Sequence, residues 1–131
     1  MENKNKYEKV MEFNLLENQL RQIEQQIVLI DQQINHQRDT IKNLDEFKKI
    51  QKGAESFLPL SEDILVKATI TDNENLLVNV GGKTLLRKNV EEIKKIIQKQ
   101  ISKLENIRNE LGSEIDLILQ ELIRLEQDIK V

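Results

Sequence analysis

The chain has 131 residues, about the length of one domain. Charged residues make up 33% and aromatics 3%, and 20 basic against 23 acidic side chains leave a net charge of −3. That is thin material for one compact core and suits long helices that bury a narrow seam. The charges are interspersed with no basic stripe, which argues against nucleic acid as a ligand. The absence of cysteine excludes a disulfide framework and a thiolate metal site.

The opening, MENKNKYEKV, is no signal peptide. No apolar run approaches the ~18–20 residues that cross a bilayer. Both features lead to the expectation of a cytoplasmic protein without membrane contact. From Tyr7 to about Gln51, apolar residues recur at alternating spacings of three and four: Phe13, Leu16, Leu20, Ile23, Ile27, Ile30, Ile34, Ile41 and Leu44. This is the seam of a coiled coil. Gln37 stands at a seam position where Leu or Ile is expected. A helix of about 45 residues is roughly 65 Å long and needs a partner along its length.

Residues 53–88 change character. Gly53 is a helix stop. Four short apolar runs follow: Phe57 to Leu60, Ile64 to Ile70, Leu76 to Val80 and Thr84 to Lys88. Ser61-Glu62-Asp63, Thr71 to Asn75 and Gly81-Gly82 connect them, all turn-formers. Two β-hairpins are predicted, with Ile64, Val66, Ala68 and Ile70 on one face and Leu76, Val78 and Val80 on another. Pro59 marks the first run as an edge strand or a strand start. Isolated hairpins are marginal and leave open edges. Leu58, Ile64, Val66, Ile70, Val78 and Val80 are therefore the expected assembly surface, their stripe buried mainly by the sheet and its edges by other subunits.

Gly82-Lys83-Thr84 ends like a phosphate-binding loop, but that loop requires a glycine at position 77 and a helix directly after it. Position 77 is Leu77, and no helical period or cap follows Thr84. Gly-Gly as a hairpin turn fits better.

From Asn89 the seam pattern returns: Val90, Ile97, Ile101, Leu104, Leu111, Ile115, Ile118, Leu122, Leu125 and Ile129, interrupted by Arg108. Asn89 with Glu91 and Glu92 forms a cap with an acidic first turn. Gly112, inside this helix, costs about 1 kcal/mol relative to Ala. The predicted fold is α+β, mainly α: one domain over 1–131, with helices over 7–51 and 89–131 forming a long antiparallel coiled-coil hairpin and two central β-hairpins over 53–88. Two registers seat the apolar residues. The one that brings Gln37 and Arg108 into a single polar layer is expected, since a polar layer fixes register. It sets Ile41 with Leu104, Ile34 with Leu111 and Leu16 with Ile129. The second helix would then run out, leaving Tyr7, Val10, Met11 and Phe13 at or past the coiled-coil end, near Ile129 and Val131.

His36 falls two positions after the seam residue Ile34 and should face solvent. With no second histidine and no cysteine, a transition-metal site is not expected. Carboxylates recur on solvated faces with no isolated apolar pair, so no catalytic residue, cofactor or metal is predicted.

The order helix, two hairpins, helix resembles the α-class subunit of the prefoldin family over the whole chain. The most specific residues are Leu58-Pro59-Leu60, Val66-Lys67-Ala68 and Val78-Asn79-Val80-Gly81-Gly82. The chain departs from the family where Ser61-Glu62-Asp63 replaces glycines and where the two loop glycines are adjacent. The resemblance implies an ATP-independent co-chaperone: two α-class and four β-class subunits in a hexamer, holding non-native polypeptides at coiled-coil tips for a group II chaperonin. With the expected register, which leaves an uncovered apolar cluster at the coiled-coil end, client binding is assigned to Tyr7, Val10, Met11 and Phe13, with Ile129 and Val131 near them. The alternative is a filament-forming α-class relative with a structural or chaperone role.

Overall fold

The computed structural model describes residues 5–130. Helix α1 spans Lys6–Lys48, strands β1 Glu55–Ser61, β2 Ile64–Thr69, β3 Leu76–Gly81 and β4 Thr84–Lys88 follow, and helix α2 spans Val90–Lys130. The fold is α+β and mainly helical: two long helices of coiled-coil type joined by two antiparallel strand pairs. The chain divides into two compact units, one made of residues up to Asn35 and from Ser102 onward, the other of His36–Ile101.

Both helix starts are capped by asparagine. Asn5 Oδ1 accepts the backbone N–H of Glu8 at 2.8 Å. Asn89 Oδ1 accepts that of Glu92 at 2.8 Å, and the Glu92 carboxylate accepts the Asn89 N–H in return. This is a reciprocal capping box, with Glu91 and Glu92 lying in the first turn where the helix dipole favours negative charge. Helix α1 ends at Lys48, short of the Gln51 expected from the sequence. Lys49 and Ile50 donate to Glu46 and Phe47, tightening the last turn. Gly53, at φ 88°, then turns the chain and donates to the Ile70 carbonyl at 2.6 Å.

In the unit His36–Ile101 the helices run antiparallel. Gln37 donates to Gln100 at 2.6 Å, Asp45 pairs with Lys94 at 2.7 Å and Lys48 with Glu91 at 2.7 Å. Val90, Ile93, Ile97 and Ile101 are its buried apolar residues. The strands form two separate two-stranded sheets, β1 with β2 and β3 with β4. The first hairpin aligns Leu58 with Val66, the second Val78 with Leu86, and each has an irregularity just before its turn. In the second, the Asn79 side chain accepts from the Gly81 N–H and donates to the Gly82 carbonyl. Gly81 and Gly82 take φ 141° and 59°, conformations open to glycine. Thr84 begins a strand, not a helix, so the Gly-Lys-Thr triplet lacks the helix N-terminus that a phosphate loop requires.

In the other unit, Asp31 binds Arg108 and Lys9 pairs with Asp128 at 3.9 Å, again an antiparallel order. Ile34, Leu122 and Leu125 are buried there, Leu125 to 1% exposure.

The expected polar layer of Gln37 with Arg108 is therefore not formed. Gln37 is held by Gln100, and Arg108 lies level with Ile30 and bonds Asp31. The cross-helix contacts Gln37–Gln100, Asp45–Lys94, Lys48–Glu91, Asp31–Arg108 and Lys9–Asp128 all follow the other register, displaced by one heptad. This register gives Arg108 a bidentate, charge-assisted partner in Asp31 and keeps Val90, Ile93 and Ile97 within the length of α1.

Candidate assembly and client-binding surfaces

The strands place apolar side chains where the chain itself does not cover them. Half of the large hydrophobic residues exposed in the described chain lie on these four short strands. Leu58, Ile64, Val66 and Val80 are exposed, whereas Ile70 and Val78 are half-buried. The stripe expected to be buried mainly by the sheet is thus largely open within one chain. The cause is that each sheet has only two strands and no second layer covers both faces. Leu60, Leu65, Leu77, Leu85 and Leu86 are also exposed. Sequence reasoning did not single them out: alternation puts Leu65 and Leu77 on the side opposite the expected stripe, and it assigned no face to the first and fourth runs, which carry Leu60, Leu85 and Leu86.

The hydrogen bonds also rank the open edges. Ile70 donates to Ala54, which puts the bonded pairs of the first hairpin at Ser56–Ala68 and Leu58–Val66. Phe57 and Pro59 then direct their backbone groups away from β2, and Pro59 has no N–H to offer there. The outer edge of β1 is blunted, while the outer edge of β2 keeps its donors. Beside the second hairpin, a cleft of about 750 Å³ is lined by residues including Leu44, Leu76, Val78, Ile93 and Ile97.

In the unit carrying both chain ends, Tyr7 is 72% and Met11 54% exposed, and Val10 is exposed as well. Phe13 and Ile129 are half-buried, and Val131 lies outside the described residues. The expectation that α2 runs out level with Leu16 does not hold. Asp128 reaches Lys9, so Phe13 lies level with Leu125, inside the paired region. Met11, level with Gln127 inside the paired region, is open because it sits off the seam. Leu15 shares that outward side, four residues after Met11, and is exposed too; a reading confined to seam positions passes over it.

Electrostatics here are those of solvated pairs. The Lys48 ammonium holds Glu91 below the ordinary carboxylate range. Asp45 raises Lys94, Asp31 raises Arg108 and Glu121 raises Arg124. Among the described residues, no group of three or more His, Cys, Asp or Glu is placed to hold a metal. No described helix is long and apolar enough to cross a membrane.

The family model for prefoldin subunits matches residues 16–131. The chain belongs to the prefoldin family. Among curated relatives, the prefoldin subunit alpha of Archaeoglobus fulgidus is 19% identical over 122 residues, covering 93% of this chain and 89% of the relative. Those of Methanococcus vannielii and Thermofilum pendens are 22% and 21% identical, covering 92% and 91% of this chain and 80% and 92% of the relatives. These matches support an archaeal-type α-class prefoldin. A filamentous prefoldin of Methanocaldococcus jannaschii, solved by cryo-electron microscopy, superposes with a TM-score of 0.79 at 21% identity. The superposition covers 88% of this chain and 95% of that one and shows the shared fold. Prefoldin is a chaperone family, and membership implies oligomeric assembly with other prefoldin subunits.

Proposed function

We propose that this chain is the α subunit of an ATP-independent, cytoplasmic co-chaperone hexamer with four β-class subunits. In this reading it holds non-native polypeptides and passes them to a group II chaperonin. The observation that carries the reading is the concentration of uncovered apolar side chains on the two hairpins. Apolar side chains concentrated on an open surface mark an interaction site, and open strand edges are suited to strand addition. Client contact is assigned to Tyr7, Val10, Met11 and neighbouring Leu15, with Ile129, Phe13 and Val131 as supporting positions. Met11 suits an adaptable surface, because a thioether is flexible and polarisable. Holding by weak apolar contact needs no bond-making step, and release needs none either.

The test has two arms. Mixed with β-class subunits, the chain should give a discrete hexamer by light scattering. A ladder of homo-oligomers without β-class chains would favour a filament built through the same hairpins. In the hexamer, Tyr7→Ser with Met11→Ser should leave the mass unchanged and weaken protection of a denatured client several-fold. Undiminished protection would move client contact elsewhere.

A further inference from the structure

We propose that the outer side of α1, from Met11 to Asn35, is a holding surface for an extended, uncharged stretch of non-native polypeptide. The inference rests on the chaperone reading and adds where along the helix a client lies and what kind of segment it is. Helix positions turned away from a coiled-coil seam ordinarily carry charge, and 33% of this chain is charged. The three heptad positions farthest from the α1 seam depart from that pattern. They hold the apolar Met11, Leu15, Val28 and Leu29 and the amides Asn14, Asn18, Gln22, Gln25, Gln32 and Asn35, all exposed. Arg21 is the one charge among them, and it is turned onto Glu17 at 3.5 Å. The acidic residues of the same stretch, Glu12, Glu17, Glu24 and Asp31, all flank the seam instead.

The corresponding side of α2 is built differently. There the exposed Leu117 and Ile123 stand beside Asp116 and Arg124, and Arg124 is paired with Glu121 and Asp128. On α1, Val28 and Leu29 are 55% and 59% exposed with no charged residue beside them on that side. Near the start of α1, Met11, Leu15, Asn14 and Asn18 line a shallow hollow of about 560 Å³, with Glu8 and Glu12 at its margin. Among the described residues, the amide side chains of this surface bond to no other group of the chain. Each keeps its N–H donors and its carbonyl acceptor for something else.

That chemistry selects the occupant. A non-native chain presents apolar side chains together with unpaired backbone N–H and C=O groups. Apolar and amide side chains meet both needs without reading a sequence. Met11 and Leu15 stand apart from Val28 and Leu29 by roughly 23 Å along the helix, which an extended chain crosses in about seven residues. A second copy of this chain fits less well. Asn18, Arg21, Gln22 and Gln25 interrupt the apolar residues over two turns, whereas a helix–helix seam needs an apolar residue every 3.5. An anionic membrane surface or a nucleic acid calls for basic residues, and this side offers Arg21 alone.

The test uses the full-length chain assembled with β-class subunits. A photoreactive benzophenone side chain replaces Gln25, or, as a control on the exposed outer side of α2, Gln120. The probe is a neutral peptide in which two Leu-Val pairs stand seven residues apart, with Ser and Gln between. Labelling from position 25 should exceed that from position 120 at least several-fold. It should fall several-fold with Asn18→Glu plus Gln22→Glu, and equally with Asn18→Lys plus Gln22→Lys. These positions are exposed, so neither pair disturbs the seam. Equal labelling from the two positions overturns the proposal, as does a loss with one sign of charge and not the other. Cross-links between copies at position 25 without peptide would make this side an interface of the assembly and also overturn it. Protection of a denatured client from aggregation is measured on the same assembly. Intact protection without labelling at position 25 sinks this inference alone; absence of protection sinks the chaperone reading and this site with it.

Discussion

Asp72 organises the connection between the hairpins with one carboxylate. Its Oδ1 accepts the N–H groups of Glu74 at 2.9 Å and Asn75 at 3.1 Å, and its Oδ2 accepts from the Asn75 side chain. The backbone N–H of Glu74, then that of Asn75, hold the carboxyl below its ordinary range. A folded-state pKa below the unfolded one gives a contribution that is complete above the unfolded value, near 3.9 for Asp. That contribution is lost as pH falls through the lower folded value. Asp72→Ala should therefore destabilise the hairpin unit at pH 7, and the difference from wild type should shrink and vanish on acidification below about pH 4. Carboxyl NMR titration together with denaturation at several pH values reads both; a constant difference down to pH 2 would contradict the assignment. At this scale the sequence was partly legible. Asn89 with Glu92 three residues on, and Gly81-Gly82, carry their local geometry in residue type and spacing. That Asp72 rather than Asp63 would bond its own turn could not be read, because both stand among turn-formers and only backbone direction separates them.

The helices and hairpins were legible because their signals are local. Seam spacing marks α1 and α2, and breakers mark the strands. Register was not, because it depends on matching two seams that repeat every seven residues. A reading that scored polar residues only as interruptions paired Gln37 with Arg108. Considering which carboxylate could reach Arg108 would have favoured Asp31. The packing strength of the observed register is testable at Leu125, level with Phe13 and 1% exposed. Leu125→Ala removes buried methyl groups and leaves a cavity, and should cost about 2–4 kcal/mol. Leu119→Ala, on an exposed side chain of the same helix, should stay within about 0.5 kcal/mol. Urea denaturation followed by helical circular dichroism compares them. Equal effects would mean that α2 does not bury the Leu125 side as described.

At the scale of the molecule, a single chain leaves its strand face unfinished, so its lowest-energy form is expected to be an assembly. Sequence patterning showed that the hairpins would present apolar residues. It overestimated how much of them the sheets would cover, since alternation says which residues share a face and not whether anything packs on it. Val80 tests the assembly role because it is exposed in the lone chain and lies on a two-stranded sheet. Val80→Asp should be well tolerated by the isolated chain, where water still reaches the carboxylate. Buried by a neighbouring subunit, the same carboxylate would lose its hydration without gaining a partner, a cost of several kcal/mol. The mutant should keep most of its helical circular dichroism and fail to form the hexamer with β-class subunits in gel filtration with light scattering. A hexamer of unchanged mass and stability would show that Val80 stays in water after assembly, and would confine the interface to the other exposed strand residues.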